Sequence, residues 1–269
     1  MDADDATATA DRGILDRPAP DPDEVLRTGP EDHHVVDLYL PTGPPRAWVV
    51  LVHGGFWRAE WDRTHLRPLA DALRAQGYAV ALVEYVRTGM PGGGWPGTFA
   101  DAAAGLTAVR RRAATEPAPV VLVGHSAGGH LAAWLLHQPA AAAGGDLPDV
   151  AGAVSLAGCL DLAAVAELDL DEGAAVDLLG GTPAEVPERY AAADPARLGP
   201  TPYPLVVVHG TADEKVPLEV ASSWWRAAAT PGRDRLVLLD GVTHFPVIDP
   251  AAPTFAVLTE QIEQLLGRR

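Results

Sequence analysis

The stretch VVLVGHSAGGHLAAWLL, residues 120–136, restricts what this chain can fold into more than any other part of it. Val120 to Val123 are apolar on both faces, as a strand buried between two layers must be. They run without a loop into Gly124-His125-Ser126-Ala127-Gly128 and on into an alanine- and leucine-rich helix. A strand that turns at once into a helix packed on its own sheet accommodates this. The glycines belong to the turn, because side chains at 124 or 128 would collide with the neighbouring strand and helix.

Further short aliphatic runs have the same texture: Trp48–Val52, Ala79–Val83, Val150–Leu156, Leu205–Val208 and Arg235–Leu239. Val35 to Leu40 alternates weakly, as an edge strand would. Helical stretches separate the runs. Residues 65–76 place Leu66, Leu69, Ala70 and Leu73 at helical spacing and end at Gly77, a C-cap position. Thr98 and Asp101 read as a capping-box variant opening a helix to about Ala114, and 253–266 closes the chain as a helix. Strands alternating with helices predict an α/β domain over 29–269, with a mostly parallel central sheet and helices on both faces. Residues 160–200 break the rhythm with short helices and proline turns, a small cap insertion over the C-terminal edge of the sheet. Residues 1–28, acidic and proline-punctuated, read as a flexible arm.

Composition bounds the partners. At 48% hydrophobic residues a core is assured. With 36 acids against 20 bases the net charge is −16, which repels polyanions, so neither nucleic acid nor an anionic membrane surface is expected as a partner. No apolar run is long enough to span a bilayer. The acidic N-terminus lacks an apolar leader, and the single cysteine, Cys159, excludes an internal disulfide; both fit a cytoplasmic location. No phosphate loop is present, since GMPGGGW at 89–95 lacks the lysine and the following helix. His33-His34 is adjacent rather than i,i+4 and no HExxH occurs, so neither metal nor cofactor is expected. A homodimer is allowed, with no interface marked.

The chemistry concentrates at strand ends. Ser126, on the tight turn of a G-x-S-x-G segment in its strand–turn–helix setting, is the candidate nucleophile. The helix behind it aims amides and dipole at developing negative charge, with Ala127 N–H as one oxyanion donor. The second donor comes from His53-Gly54-Gly55-Phe56-Trp57, after strand 48–52, through the backbone at Gly55 and Phe56. His53 itself reads as a brace for that loop. Chain order then asks for an acid and a histidine: Asp213 follows strand 205–208 and His244 follows strand 235–239. Asp161 rivals Asp213 as the acid, and His209 rivals His244 as the base. His125 is expected to point away from the pocket and His130 to pack in the helix interior. Trp134, Trp224 and Trp225 read as helix packing, whereas at least one of Trp57, Trp61 and Trp95 is expected to line the pocket.

HGGFW, GHSAGGHLAAWL, HGTADEKVP and His244 together resemble the α/β-hydrolase superfamily, in its branch of small carboxylesterases and kynurenine formamidases (arylformamidases). The resemblance covers nearly all the chain from about residue 35. It implies the α/β-hydrolase fold, an oxyanion loop at 53–57, nucleophile Ser126, acid Asp213 and base His244. Asp194 stands where the branch has a serine before proline, and EYVR at 84–87 stands where it has EYRR; both departures fall on expected pocket walls. The resulting expectation is a serine hydrolase acting on small carboxylic esters. The alternative is an arylformamidase acting on N-formylkynurenine; a peptidase fits less well, in a chain with no gating domain. A third reading is a non-catalytic ligand-binding protein of the same fold, which has no chemical need of a complete Ser/Asp/His set.

Overall fold

The computed structural model describes residues 12–138 and 149–267. Three strands whose every residue is buried form the middle of the sheet: β3 (Trp48–Val52), β4 (Ala79–Val83) and β5 (Val120–His125). Side chains alternate across them. Trp48, Val50 and Val52 join one apolar layer and Val49 and Leu51 the other, each buried aliphatic contributing about 1.5–3 kcal/mol. With β1 (Glu24–Arg27), β2 (Val35–Tyr39), β6 (Val150–Leu156), β7 (Leu205–Gly210) and β8 (Arg235–Leu239), they form one eight-stranded sheet in the order β1-β2-β4-β3-β5-β6-β7-β8. The β1–β2 and β2–β4 pairings are antiparallel and the rest parallel. This is the α/β-hydrolase fold, and it brings the C-terminal ends of β3, β5, β7 and β8 to one edge.

Helices α1 (Arg67–Ala75) and α9 (Thr254–Leu266) cover one face. Helices α2 (Gly97–Ala113), α3 (Ala127–Leu135) and α8 (Leu218–Ala228) cover the other. Four short helices lie between β6 and β7: α4 (Leu162–Glu167), α5 (Ala174–Leu179), α6 (Pro187–Ala193) and α7 (Pro195–Leu198). Among the described residues no helix is long and apolar enough to cross a membrane.

Three local expectations need correction. The arm expected over 1–28 is, from Arg12, part of the packed structure; its first eleven residues lie outside the described ones. A 3₁₀ turn at Arg12–Asp16 buries Ile14, and Glu24–Arg27 pairs with β2. Its apolar residues are few, and Ile14 among them is buried. In consequence β2 is not an edge strand. It is buried throughout, and its pattern looks weak because Asp37 sits in its middle, 1% exposed and ion-paired with Arg63 at 2.9 Å and Arg67 at 3.0 Å. Finally, Thr98 and Asp101 do not cap α2. Thr98 Oγ1 donates to the Val86 carbonyl at 2.6 Å, and the Asp101 carboxylate accepts from Val86 N at 2.9 Å. Both pin the loop after β4, and the helix starts behind Pro96 with no side-chain cap.

Candidate active site

β5 delivers Ser126 at φ 55° and ψ −120°, a strained left-handed conformation between the strand and α3. A Cβ at Gly124 would lie 2.0 Å from the Gly128 carbonyl oxygen, and one at Gly128 would lie 2.1 Å from that of Val52. Only glycine lets strand, turn and helix approach this closely. The turn presents Ser126 to a cleft of about 550 Å³, counted to its open mouth, which Gly55, Phe56 and His244 also line.

Asp213 and His244 meet by the same logic of strand ends. His244 Nδ1 donates to Asp213 Oδ2 at 2.7 Å, and both residues are buried. Asp213 is itself held: its Oδ1 accepts from the amides of Lys215 and Val216, each at 2.9 Å. An acceptor-only carboxylate fixes the proton of a neutral His244 on Nδ1 and leaves Nε2 as the free base. Both rivals have other work. Asp161 caps α4, accepting from Ala164 N at 2.9 Å, and also accepts from Ser223 Oγ at 2.5 Å. His209 Nε2 donates to the Val216 carbonyl at 2.8 Å, bracing the loop that carries Asp213.

The loop after β3 carries the second set of amides. Phe56 and Trp57 have φ 46° and 58°, so the backbone is turned out of its ordinary range at this point. Among the described residues, the amides of Gly55, Phe56 and Ala127 donate to no protein acceptor. Behind them His53 Nδ1 contacts the Gly54 carbonyl at 2.8 Å and Nε2 contacts Glu84 Oε1 at 2.9 Å. Tyr85 stacks on the His53 ring and donates to its carbonyl. Burial alone would raise the Glu84 carboxyl, but His53 and Arg87 beside it hold it down at about 2. His53 is therefore the brace the sequence suggested, anchored on a buried carboxylate that composition did not mark.

The remaining residues sort less simply. Gly54 abuts Ser126 from behind the cleft, its position for a Cβ lying 3.0 Å from Ser126 Cβ. Trp57, expected at the pocket, is fully buried on the far side of its loop against His130; Trp61 lines the cleft instead. Trp95 packs on Phe99. His125 does not point away. Its ring lines the cleft 4.6 Å from that of His244, and its Nε2 donates to the His244 carbonyl at 3.1 Å. Burial, with His244 beside it, pushes its pKa well below the ordinary histidine value, so the ring is neutral. Leu15, His65, Asp171 and Lys215 also line the cleft. None of the four is a candidate from its local sequence, although an Ile-Leu pair inside an acidic stretch and the only lysine are visible signals.

The BD-FAE family model matches residues 36–226, from β2 to α8. The chain belongs to the BD-FAE family. None of the curated proteins matches its sequence. Solved structures of like fold include a truncated carbohydrate esterase from gut microbiota, 20% identical, with TM-score 0.74 over 93% of this chain and 100% of that one. Esterase B from Lactobacillus rhamnosis is 19% identical, with TM-score 0.74 over 97% and 91%. A thermophilic esterase from Thermogutta terrifontis is 22% identical, with TM-score 0.68 over 91% and 94%. The formamidase side of the motif resemblance has no counterpart in the BD-FAE match.

In this BD-FAE chain the segment between β6 and β7 is tied to the loop that carries Phe56. Arg58 Nε donates to Asp171 Oδ2 at 2.6 Å, and its Nη1 donates to Asp177 Oδ2 at 2.9 Å. Asp171 thus reaches the cleft already paired. Within the segment, Asp194 is wholly buried. It accepts from Ala196 N and Ala163 N, and burial together with nearby Asp161 raises its pKa to about 7. Among the described residues, one group has the spacing of metal ligands: His33 and His34, with Nε2 atoms 3.4 and 3.3 Å from Asp101. His34 Nδ1 accepts from Glu31 N, which puts the proton of the neutral ring on Nε2, facing Asp101. That arrangement fits a latch between this loop and α2 better than a ligand set.

Proposed function

We propose that this protein is a serine hydrolase that cleaves small carboxylic esters through an acyl-enzyme. The observation that carries the reading is the meeting, in one cleft, of a strained Ser126 and the buried His244–Asp213 pair. Neighbours of like fold that are esterases support it.

Ser126 Oγ attacks the ester carbonyl carbon while its proton passes to His244 Nε2. The carbonyl electron pair moves onto oxygen, which receives the Ala127 amide and those at Gly55 and Phe56. Each such donor is worth roughly 2.7–4 kcal/mol in comparable sites. Collapse of the tetrahedral species expels the alcohol oxygen, which takes the proton from His244, and leaves the acyl group on Ser126. A water then gives a proton to His244 and attacks the acyl carbon. The second collapse returns the proton to Ser126 Oγ and releases the acid. Throughout, Asp213 holds the His244 ring in one tautomer and stabilises its charged form.

A fluorophosphonate probe tests the reading, with Ser126→Ala as its blank. Labelling of the wild type and none of the variant is the expected result. A folded, unlabelled wild type overturns it in favour of a binding protein. Comparing kcat/KM for p-nitrophenyl acetate and N-formylkynurenine then separates esterase from formamidase, with the ester expected to win.

A further inference from the structure

We infer that the N-terminal 3₁₀ turn is a wall of the substrate cleft, and that Leu15 sets how large a leaving group the enzyme accepts. The inference rests on the ester-hydrolase reading and adds to it the side of the substrate that the chain's own N-terminus measures.

Three observations place the turn there. Leu15 lines the same cleft as Ser126 and His244. Ile14, next to it, is 2% exposed and belongs to the apolar layer that also holds Leu66. Arg17 makes a two-pronged ion pair with Asp249, Nη1 to Oδ1 at 2.7 Å and Nη2 to Oδ2 at 2.9 Å. A buried anchor before Leu15 and a bidentate pair after it hold the side chain between them. Two-point fixation of this kind limits the freedom of a short turn that would otherwise fray.

The chemistry says which half of the ester faces it. His244 must hand its Nε2 proton to the leaving oxygen, so the alcohol half lies over His244 and its chain neighbour Phe245, which also lines the cleft. Asp249, the residue that holds Arg17, lies just beyond on the same segment. Trp61 and His65 complete this side of the cleft, with rings 6.0 Å apart. His65 is held neutral, burial being the largest cause of its fall to about 4. The wall formed by Leu15, Phe245, Trp61 and a neutral His65 suits an apolar or aromatic alcohol group and offers it no charge. Asp171 and Lys215 line the cleft from other loops.

Two ester series separate the halves. One holds the acyl group as acetate and varies the alcohol through ethyl, n-butyl and 2-naphthyl. The other holds p-nitrophenol and varies the acyl group through acetate, butyrate and octanoate. The Leu15→Ala variant is expected to raise the 2-naphthyl to ethyl ratio of kcat/KM about fivefold or more, and Leu15→Trp to lower it. Arg17→Ala, which frees the turn without touching the cleft, should move the ratio as Leu15→Ala does. The acyl series should keep its order, because the acyl-enzyme whose fate it compares has already lost its alcohol. If all three variants leave the alcohol ratio flat, or if the acyl series moves instead, the inference is overturned while the hydrolase reading stands. A wild type that turns over neither series removes both.

Discussion

His125 Nε2 donates to the backbone carbonyl of His244 at 3.1 Å, so the residue before Ser126 holds the backbone of His244 in place. The bond spans the turn after β5 and the loop after β8 and fixes their relative position. A net hydrogen bond contributes about 0.5–1.5 kcal/mol, and 1.36 kcal/mol in a barrier is tenfold in rate. His125→Ala is therefore expected to lower kcat on p-nitrophenyl acetate about tenfold, with KM changing less. Because stability alone would not change kcat per folded molecule, active-site titration with the fluorophosphonate keeps the two effects apart. His125→Gln, which keeps a donor, should retain more activity than the alanine variant.

Asp213 and Asp161 stand at neighbouring strand ends, yet their substitutions should differ in kind. Asp213→Asn takes the charged acceptor from His244 Nδ1 and should cut kcat by about 10³–10⁴-fold, the cost of a misplaced imidazole proton in such triads. Asp161→Ala removes the cap of α4 and should cost roughly 1 kcal/mol in stability while leaving kcat within about twofold. Equal loss of kcat in both variants would contradict the assignment.

Asp194 makes stability depend on pH in an unusual direction for a carboxylate. Its folded value of about 7 lies above the ordinary 3.8, so the folded state holds a proton that the unfolded chain releases. The stability it contributes is present below about pH 4 and is lost as pH rises through about 7. The difference in Tm between Asp194→Asn and wild type should therefore be more favourable to the variant at pH 8 than at pH 5. About 2–4 °C is expected for each kcal/mol of charge burial removed.

His65 and His130 act in the opposite sense. Burial holds both near about 4, below the ordinary histidine value of 6.5. The unfolded chain takes up protons that the folded one refuses, so this contribution is present above about pH 6.5 and lost as pH falls towards 4. Replacing both by glutamine should flatten the acid limb of a Tm-against-pH curve measured between those limits. An unchanged slope would place the acid sensitivity elsewhere.

The parts of the molecule legible in sequence are those where one residue type has one physical use. The buried strands show as unbroken aliphatic runs, and Gly124 and Gly128 show because nothing else fits where a Cβ would strike a carbonyl. Strand order narrows the carboxylate to Asp213 or Asp161 and the imidazole to His244 or His209, and the hydrogen bond between His244 and Asp213 separates them. What was not legible depends on contacts between distant segments. The alternation of β2 is weak because Asp37 is buried there by partners from elsewhere, Arg63 and Arg67. Thr98 and Asp101 have the spacing of a cap but bond to Val86 instead. Local alternation predicts that His125 points away from Ser126, yet the left-handed turn at 126 brings its ring beneath His244.

Trp57 gives the loop beside the cleft a second master. Phe56 meets the substrate space, while the next side chain along is sunk in a cluster of rings with His130, Phe99 and Trp134. Whatever shifts those rings shifts the backbone to which the proposed mechanism gives the oxyanion. The rate of such an enzyme is thus open to drift from inside its core: two relatives with identical cleft residues and different ring packing would part in speed, and a repacked interior becomes a way to tune turnover without touching the pocket.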